Sequence, residues 1–322
     1  MKSTIVKVAS LLILLVSAPS AFASTFKVGT DLNCTHSTIQ AAVNAANANP
    51  GLDHIIIANN GNYTAQAVKI QQAQPLTISG GYATCATTQQ SAVRTIVSGA
   101  GGSADSVFTV EPGSADVLFD TLFIRDGDDS SIHYGGGIDY TGSGALTLNN
   151  VSLTQNEAGY GGGLSARGTG PDATVLFLGE TIISNNVATQ DGGGVHLRDT
   201  ITLYALEPRT AIWLNRATGM ANSPPGTYHG YGGGMTALGS AKAYIGSTGY
   251  GIGVFRDNTA RAGGGIAALE SDGGGRVFLF TTDPTTPQKV SGNRATDAGG
   301  AFYADAETGF GSSGGSINLW DT

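Results

Sequence analysis

Apolar residues in this chain recur in short alternating runs, separated by polar and glycine-rich stretches. ALTL (145–148), TVLFL (174–178), TITLY (200–204), KAYI (242–245) and RVFLF (276–280) are such runs. They are rich in β-branched and aromatic residues and are bounded by Gly, Pro, Asp or Asn. That pattern predicts strands with one face in a core. No helical period appears after residue 50. Before it, Ile39, Ala42, Val43 and Ala46 fall at i, i+3, i+4 and i+7. This spacing predicts a short helix over 37–47, capped by Ser37 or Thr38. Pro50-Gly51 ends it, and HIIIA (54–58) follows as a buried strand.

One unit repeats among the strands: an apolar residue, two variable residues, Asn, a variable residue, Ala, a spacer and Gly-Gly-Gly. It reads LTQNEAGYGGGL from Leu153, ISNNVATQDGGGV from Ile183 and FRDNTARAGGGI from Phe255. IWLNRA from Ile212 reaches its GGGM only after an insertion, and VSGNRATDAGGAF from Val290 reads with Ala298 in place of the first glycine. FIRDGDDSSIHYGGGI from Phe123 is degenerate, with Asp126 at the Asn place. The expected column is Asp126, Asn156, Asn186, Asn215, Asn258 and Asn293, at steps of 30, 30, 29, 43 and 35 residues. Fixed motif chemistry at variable spacing predicts a solenoid with one coil per repeat. Strands at the same place in successive repeats then stack in parallel. The expected fold is all-β, a right-handed parallel β-helix, with the 37–47 helix capping the first coil.

The repeat chemistry reads as structural. Glycine permits positive φ and close backbone approach. Asn tolerates left-handed geometry, and stacked Asn side chains can bond along a ladder. The leading Leu, Ile or Phe points into the core.

Composition agrees with a turn-rich fold: 49 glycines in 322 residues, with only 12% charged residues. Glycine does not recur every third residue, which excludes collagen. The chain opens like a secretory signal, with Lys2 and Lys7, the apolar run LLILLV (11–16) and Ala21-Phe22-Ala23 before an expected mature start at Ser24. That run is too short to span a bilayer, and no later segment has 18 consecutive apolar residues. The expected organisation is a signal peptide (1–23), a cap with the first coils (24–122) and the repeat coils (123–322). SINLWDT stops where another strand and Asn would come, so the C-terminal end reads as incomplete. Net charge is −8; removing residues 1–23 takes away two lysines and no acids, leaving −10. An acidic chain with no basic run argues against a nucleic-acid partner. Export makes a disulfide the default for Cys34 and Cys85, with two buried free thiols as the alternative.

LTQN, ISNN, IWLN, FRDN and VSGN alternate with GGGI, GGGL, GGGV, GGGM, GGGI and GGAF over residues 123–302. This alternation resembles the polymorphic membrane protein repeats of bacterial cell-surface proteins, in which Phe-x-x-Asn alternates with Gly-Gly-Ala/Ile/Leu. STIQAAVNAANANPGLDHIIIANNGNY, from Ser37, resembles the opening of pectate-lyase-like β-helices. The resemblance implies a surface-exposed passenger or adhesin, secreted, periplasmic or displayed on the cell envelope. Such passengers are often joined to a C-terminal outer-membrane barrel, and the final segment here lacks a barrel's run of alternating strands.

Candidate chemistry is sparse. RDGDDS gathers Asp126, Asp128 and Asp129, hard oxygen ligands that partly resemble a calcium loop. Calcium is the one cofactor considered. His36, His54, His133, His196 and His229 lie far apart and form no spaced ligand pair. No helix follows the GxG strings, which recur in every coil, so they are not a nucleotide-binding signature. The Asn-Thr-Asp and Gly-His-Gly motifs of polygalacturonase-like enzymes are absent. The longest insertion, RATGMANSPPGTYHGY from Arg216, offers Tyr228, His229 and Tyr231 as a candidate binding loop. The expected function is non-catalytic adhesion or binding of a cell-surface protein or carbohydrate. A polysaccharide lyase or hydrolase is the alternative.

Overall fold

The computed structural model describes residues 24–102, 105–207, 209–219, 229–247, 254–269, 274–281, 289–304 and 316–321. Residues 1–23, where the sequence predicts a signal peptide, lie outside them. One circuit shows how the sequence closes a coil. Ala145–Asn149 runs to a bend at Asn150 (φ 53°), and Ser152–Thr154 runs to a second bend at Gln155 (φ 56°). Glu157–Tyr160 leads into Gly161, Gly162 and Gly163, and Leu164–Gly168 follows. The next strand, Thr174–Leu178, pairs parallel on Ala145–Asn149, with Ala145 opposite Thr174.

Repetition of that circuit gives four stacked sheets of ten, eight, seven and six strands, with parallel pairing throughout. The fold is a parallel β-helix. Strand alternation puts Leu146, Leu148, Val175 and Phe177 inside, joined by Leu153 and Ile183 from the seven-stranded sheet and by Leu164 and Ala166 from the eight-stranded one. All of these are fully buried. The strands expected from alternation form: Ala145–Asn149, Thr174–Leu178, Thr202–Ala205, Lys242–Ser247 and Arg276–Thr281.

The helix spans Ile39–Asn47, and Thr38 caps it by accepting a hydrogen bond from the Ala41 amide. Ile39, Ala42, Val43 and Ala46 form its buried face, packed on the first strands of the solenoid. Cys34 and Cys85 are joined in a disulfide with 51 residues of separation. In the chain-entropy account, closing such a loop stabilises by about 4 kcal/mol. The bond ties the segment before the helix to the loop that follows Leu76–Tyr82. Among the described residues no helix is long and apolar enough to cross a membrane.

Candidate functional site

Two of the sharp corners of each repeat coil differ in chemistry. At the first, a residue with φ near 55° is followed by a buried Asn: Gln155 then Asn156, Asn185 then Asn186, Leu214 then Asn215, Asp257 then Asn258. Left-handed geometry therefore belongs to the residue before the Asn, and the Asn serves only the ladder. The Asn186 Oδ1 accepts from both the Asn156 amide and Asn156 Nδ2, each at 3.0 Å. Asn186 Nδ2 in turn donates to Asn215 Oδ1 at 2.9 Å and to the Leu153 carbonyl at 3.0 Å. The same pattern continues through Asn215, Asn258 and Asn293. Every one of these side chains is spent on the ladder, so the column holds the frame.

Two assignments from the repeat need correction. Leu153 pairs with Ile124 and Thr154 with Arg125, so Asp126 aligns with Gln155 and Gly127 holds the Asn place. Asp126 accordingly has φ 55°, and the Gly127 amide donates to Asn156 Oδ1 at 3.0 Å. A main-chain amide alone closes the ladder there, which the side-chain pattern could not reveal. At the other end Ala298 pairs with Ala262, Gly299 has the positive φ of a first glycine, and Ala301 replaces the third. A Cβ on the equivalent Gly265 would lie 2.6 Å from the Ala301 carbonyl of the next coil. Ala301 lies in the last described strand turn of that sheet.

The second corner is the Gly-Gly-Gly turn. Gly161 needs φ 64°, and a side chain at Gly162 would collide with the Val187 carbonyl. This tight turn folds the residue before the glycines over the second residue after them. Unlike the Asn, these two columns vary. The first is Tyr134, Tyr160, Asp191, Tyr231, Ala262 and Ala298, in register through bonds such as the Gly135 amide to the Tyr160 carbonyl and the Gly192 amide to the Tyr231 carbonyl. The second is Asp139, Ser165, His196, Thr236, Ala267 and Tyr303.

Rings and polar groups gather there. Tyr134 stacks on Tyr160 with centroids 4.9 Å apart, and His196 lies 5.1 Å from Tyr160. The Arg198 guanidinium carbon is 4.1 Å from the Tyr134 centroid, and Arg198 Nη1 donates to the Tyr134 hydroxyl at 3.1 Å. Such stacking of a cation on a ring is favourable. The insertion returns to the same place. Asp191 Oδ1 accepts from the Gly230 and Tyr231 amides at 2.8 and 2.9 Å, while Oδ2 lies 3.3 Å from His229 Nδ1. The His229 ring meets Tyr160 edge-on at 6.0 Å, and Tyr231 stacks on Tyr303 at 5.4 Å.

Burial sets the electrostatics of this corner. His196 is 1% exposed, and desolvation holds it down to about 4 against the opposing pull of Asp191, so it is neutral at pH 7. Burial, with Asp191 adding to it, pushes the Tyr160 hydroxyl up to about 12, so it stays a proton donor. The hydrogen bond to Asp191 raises His229 against the opposing effect of burial. Among the described residues, His196 Nδ1, Ser165 Oγ and Arg198 Nε are buried with no hydrogen-bond partner. Three such atoms on neighbouring side chains depart from the usual satisfaction of buried polar groups.

Of the insertion residues expected to bind, His229 and Tyr231 lie at this corner, while Tyr228 is outside the described residues. The acidic trio is placed elsewhere. Asp126 and Asp128 line a groove of about 500 Å³ with Gln155, Glu157 and Gly99–Gly102. The Asp126 carboxylate is taken by Arg125 Nε at 2.6 Å and Ser98 Oγ at 2.8 Å. Asp128 is exposed, and the side chain of Asp129 lies outside the description. Among the described residues, one set of His, Cys, Asp and Glu atoms lies close enough for a single ion: Asp31, Cys34 and Cys85. Its sulfurs are joined to each other.

Repeat reading by motif missed Tyr134, Tyr160, Asp191, His196 and Arg198. Their signal was positional. Each stands at a fixed offset from a Gly-Gly-Gly, in columns where the residue type changes from coil to coil.

No protein-family model matches this chain, and no curated protein matches it. Among solved structures, the crystal structure of Escherichia coli YbhC is similar, with 14% identity over 95% of this chain and 85% of that one and a TM-score of 0.42. The β-helix itself stands on the strand pairing described above.

Proposed function

We propose that this chain is an exported, non-catalytic β-helix that binds a cell-surface protein or a carbohydrate through its glycine-turn corner. The observation that carries the reading is the cluster of Tyr134, Tyr160, His196, Arg198 and His229, with its buried unpartnered polar atoms. Tyrosines supply broad contact area at low entropy cost, and Arg and Tyr are favoured at recognition hot spots. The columns of this corner vary while the frame repeats, as expected where a rigid scaffold carries recognition. The signal-like opening and the resemblance to polymorphic membrane protein repeats support export and surface display. Calcium is no part of this reading.

The test separates binding from turnover. The protein is incubated with pectin, alginate and similar polymers, with and without calcium, and unsaturated or reducing ends are followed. The expected result is no turnover. Activity lost on Asp126→Asn, Asp128→Asn and Asp129→Asn would replace the binding reading with a lyase one.

A further inference from the structure

The outer face of the ten-stranded sheet changes character along the solenoid. Thr147 and Asn149 face outward on Ala145–Asn149, alternating with the buried Leu146 and Leu148. In later coils the equivalents of Thr147 become Leu176, Tyr204, Tyr244 and Phe278, in direct register. Tyr204 and Tyr244 stack at 5.3 Å with 11° between planes, and Tyr244 and Phe278 at 4.8 Å with 7°. The rings are half-buried, shielded by one another. Leu178, next outward along its strand, extends the apolar strip. Surface rows of this size and chemistry mark interaction sites more often than chance.

Charge tells which occupant fits. The chain carries a net −8, yet TVLFL, TLYA, KAYIGS and RVFLFT in this sheet contain no acid. They contain Lys242 and Arg276, which are exposed, side by side in register and on the outward face two residues before Tyr244 and Phe278. Among the described residues neither cation has a carboxylate within ion-pairing distance. Apolar rings beside two cations that no described carboxylate pairs, on four strands without an acid in an acidic chain, complement a surface that is apolar inside and anionic at its boundary. Tyrosine favours that boundary, and Lys and Arg near it are attracted to anionic headgroups.

We infer that this face, from Leu176 to Phe278 with Lys242 and Arg276, docks onto an anionic lipid surface. It lies on a different sheet from the glycine-turn corner, so either site can fail without the other.

The experiment is co-sedimentation with vesicles of phosphatidylglycerol and, in parallel, of phosphatidylcholine. The protein is collected after export and its N-terminus read by mass spectrometry. Binding to phosphatidylglycerol is expected to exceed that to phosphatidylcholine and to weaken with salt. Lys242→Gln with Arg276→Gln, both exposed and harmless to the core, should weaken it roughly twenty-fivefold, from about fivefold for each surface cation. Lys69→Gln with Arg294→Gln removes the same charge from other faces and should leave binding within about twofold of the parent, because surface attraction falls off within a Debye length. Tyr244→Ser with Phe278→Ser should reduce binding while the melting transition persists. Equal binding to both lipids, an equal loss in the two charge variants, or no sedimentation would overturn the inference. So would a dimer in solution that Tyr244→Ser dissociates, since the occupant would then be a second copy.

Discussion

The two corners of a coil solve the same steric problem with opposite chemistry. At the Asn corner one residue type recurs, and its oxygen and nitrogen are matched by the coils on either side. At the glycine corner the backbone repeats, but the residues over it run Tyr, Tyr, Asp, Tyr, Ala, Ala. Among the described residues, polar atoms of Ser165, His196 and Arg198 near them are left without partners. A column that repeats is closed to ligands, because each member is already bonded to its copies. A column that varies is not bonded to copies of itself along its whole length, and its chemistry is available for something else.

The first way to break this comparison is at the repeating corner. Asn186→Leu removes the acceptor of two Asn156 donors and the donor to Leu153 and Asn215. Buried groups left unmatched cost roughly 1–3 kcal/mol each, and with partial relaxation the expected loss is about 4 kcal/mol, read by denaturant unfolding. Thr189→Ala, in the spacer of the same coil, serves as the reference. An unfolding midpoint for Asn186→Leu equal to that of Thr189→Ala would remove the ladder as a stabilising element.

The second concerns acid stability. His196 is held down to about 4 by burial, below its ordinary 6.5. The unfolded chain therefore takes up a proton as pH falls through 6.5, while the folded chain does so only near 4. Stability is full above pH 6.5 and is lost between 6.5 and 4, by about 3 kcal/mol at the lower limit. His54, also held down to about 4 by burial, acts in the same direction. His229 has the opposite sign: its raised value adds stability below 6.5 that is lost as pH rises through that value. Melting of His196→Gln across this range should show a shallower acid slope than the parent. An identical slope would mean that His196 takes up its proton at the same pH in the fold as in the unfolded chain.

Much of the frame was legible because it repeats. Ile39, Ala42, Val43 and Ala46 marked the cap helix by spacing, and alternation marked the strands of the ten-stranded sheet. Asp126 was misplaced by one position because Gly127 closes the ladder with its amide, and side-chain identity carries no trace of that. Ala298 was misread because the turn's register is set by the positive φ of Gly299 and by the pairing of Ala298 with Ala262, which residue identity does not carry. The glycine corner escaped because its signal lies in variation down a column, and contact between Tyr134 and Arg198, 64 residues apart, requires the coil register.

A smaller effect sharpens the correction at the Asn corner. Leu214 adopts φ 55° and is 43% exposed, so it bears left-handed strain with little packing in return. Leu214→Gly should stabilise by about 1 kcal/mol. A destabilised Leu214→Gly would mean that its side chain packs in solution.

The most direct test sets the two corners against each other in one pair of variants. Tyr160→Ala and Asn186→Leu are each measured for melting and for adsorption to a panel of immobilised polysaccharides and intact bacterial surfaces that retain the parent. Tyr160→Ala should lose adsorption by tenfold or so, the scale of a hot-spot residue, while melting above the temperature of Asn186→Leu. Asn186→Leu, assayed cold where it is folded, should adsorb like the parent. Undiminished adsorption by Tyr160→Ala, with a loss in Asn186→Leu, would contradict the account.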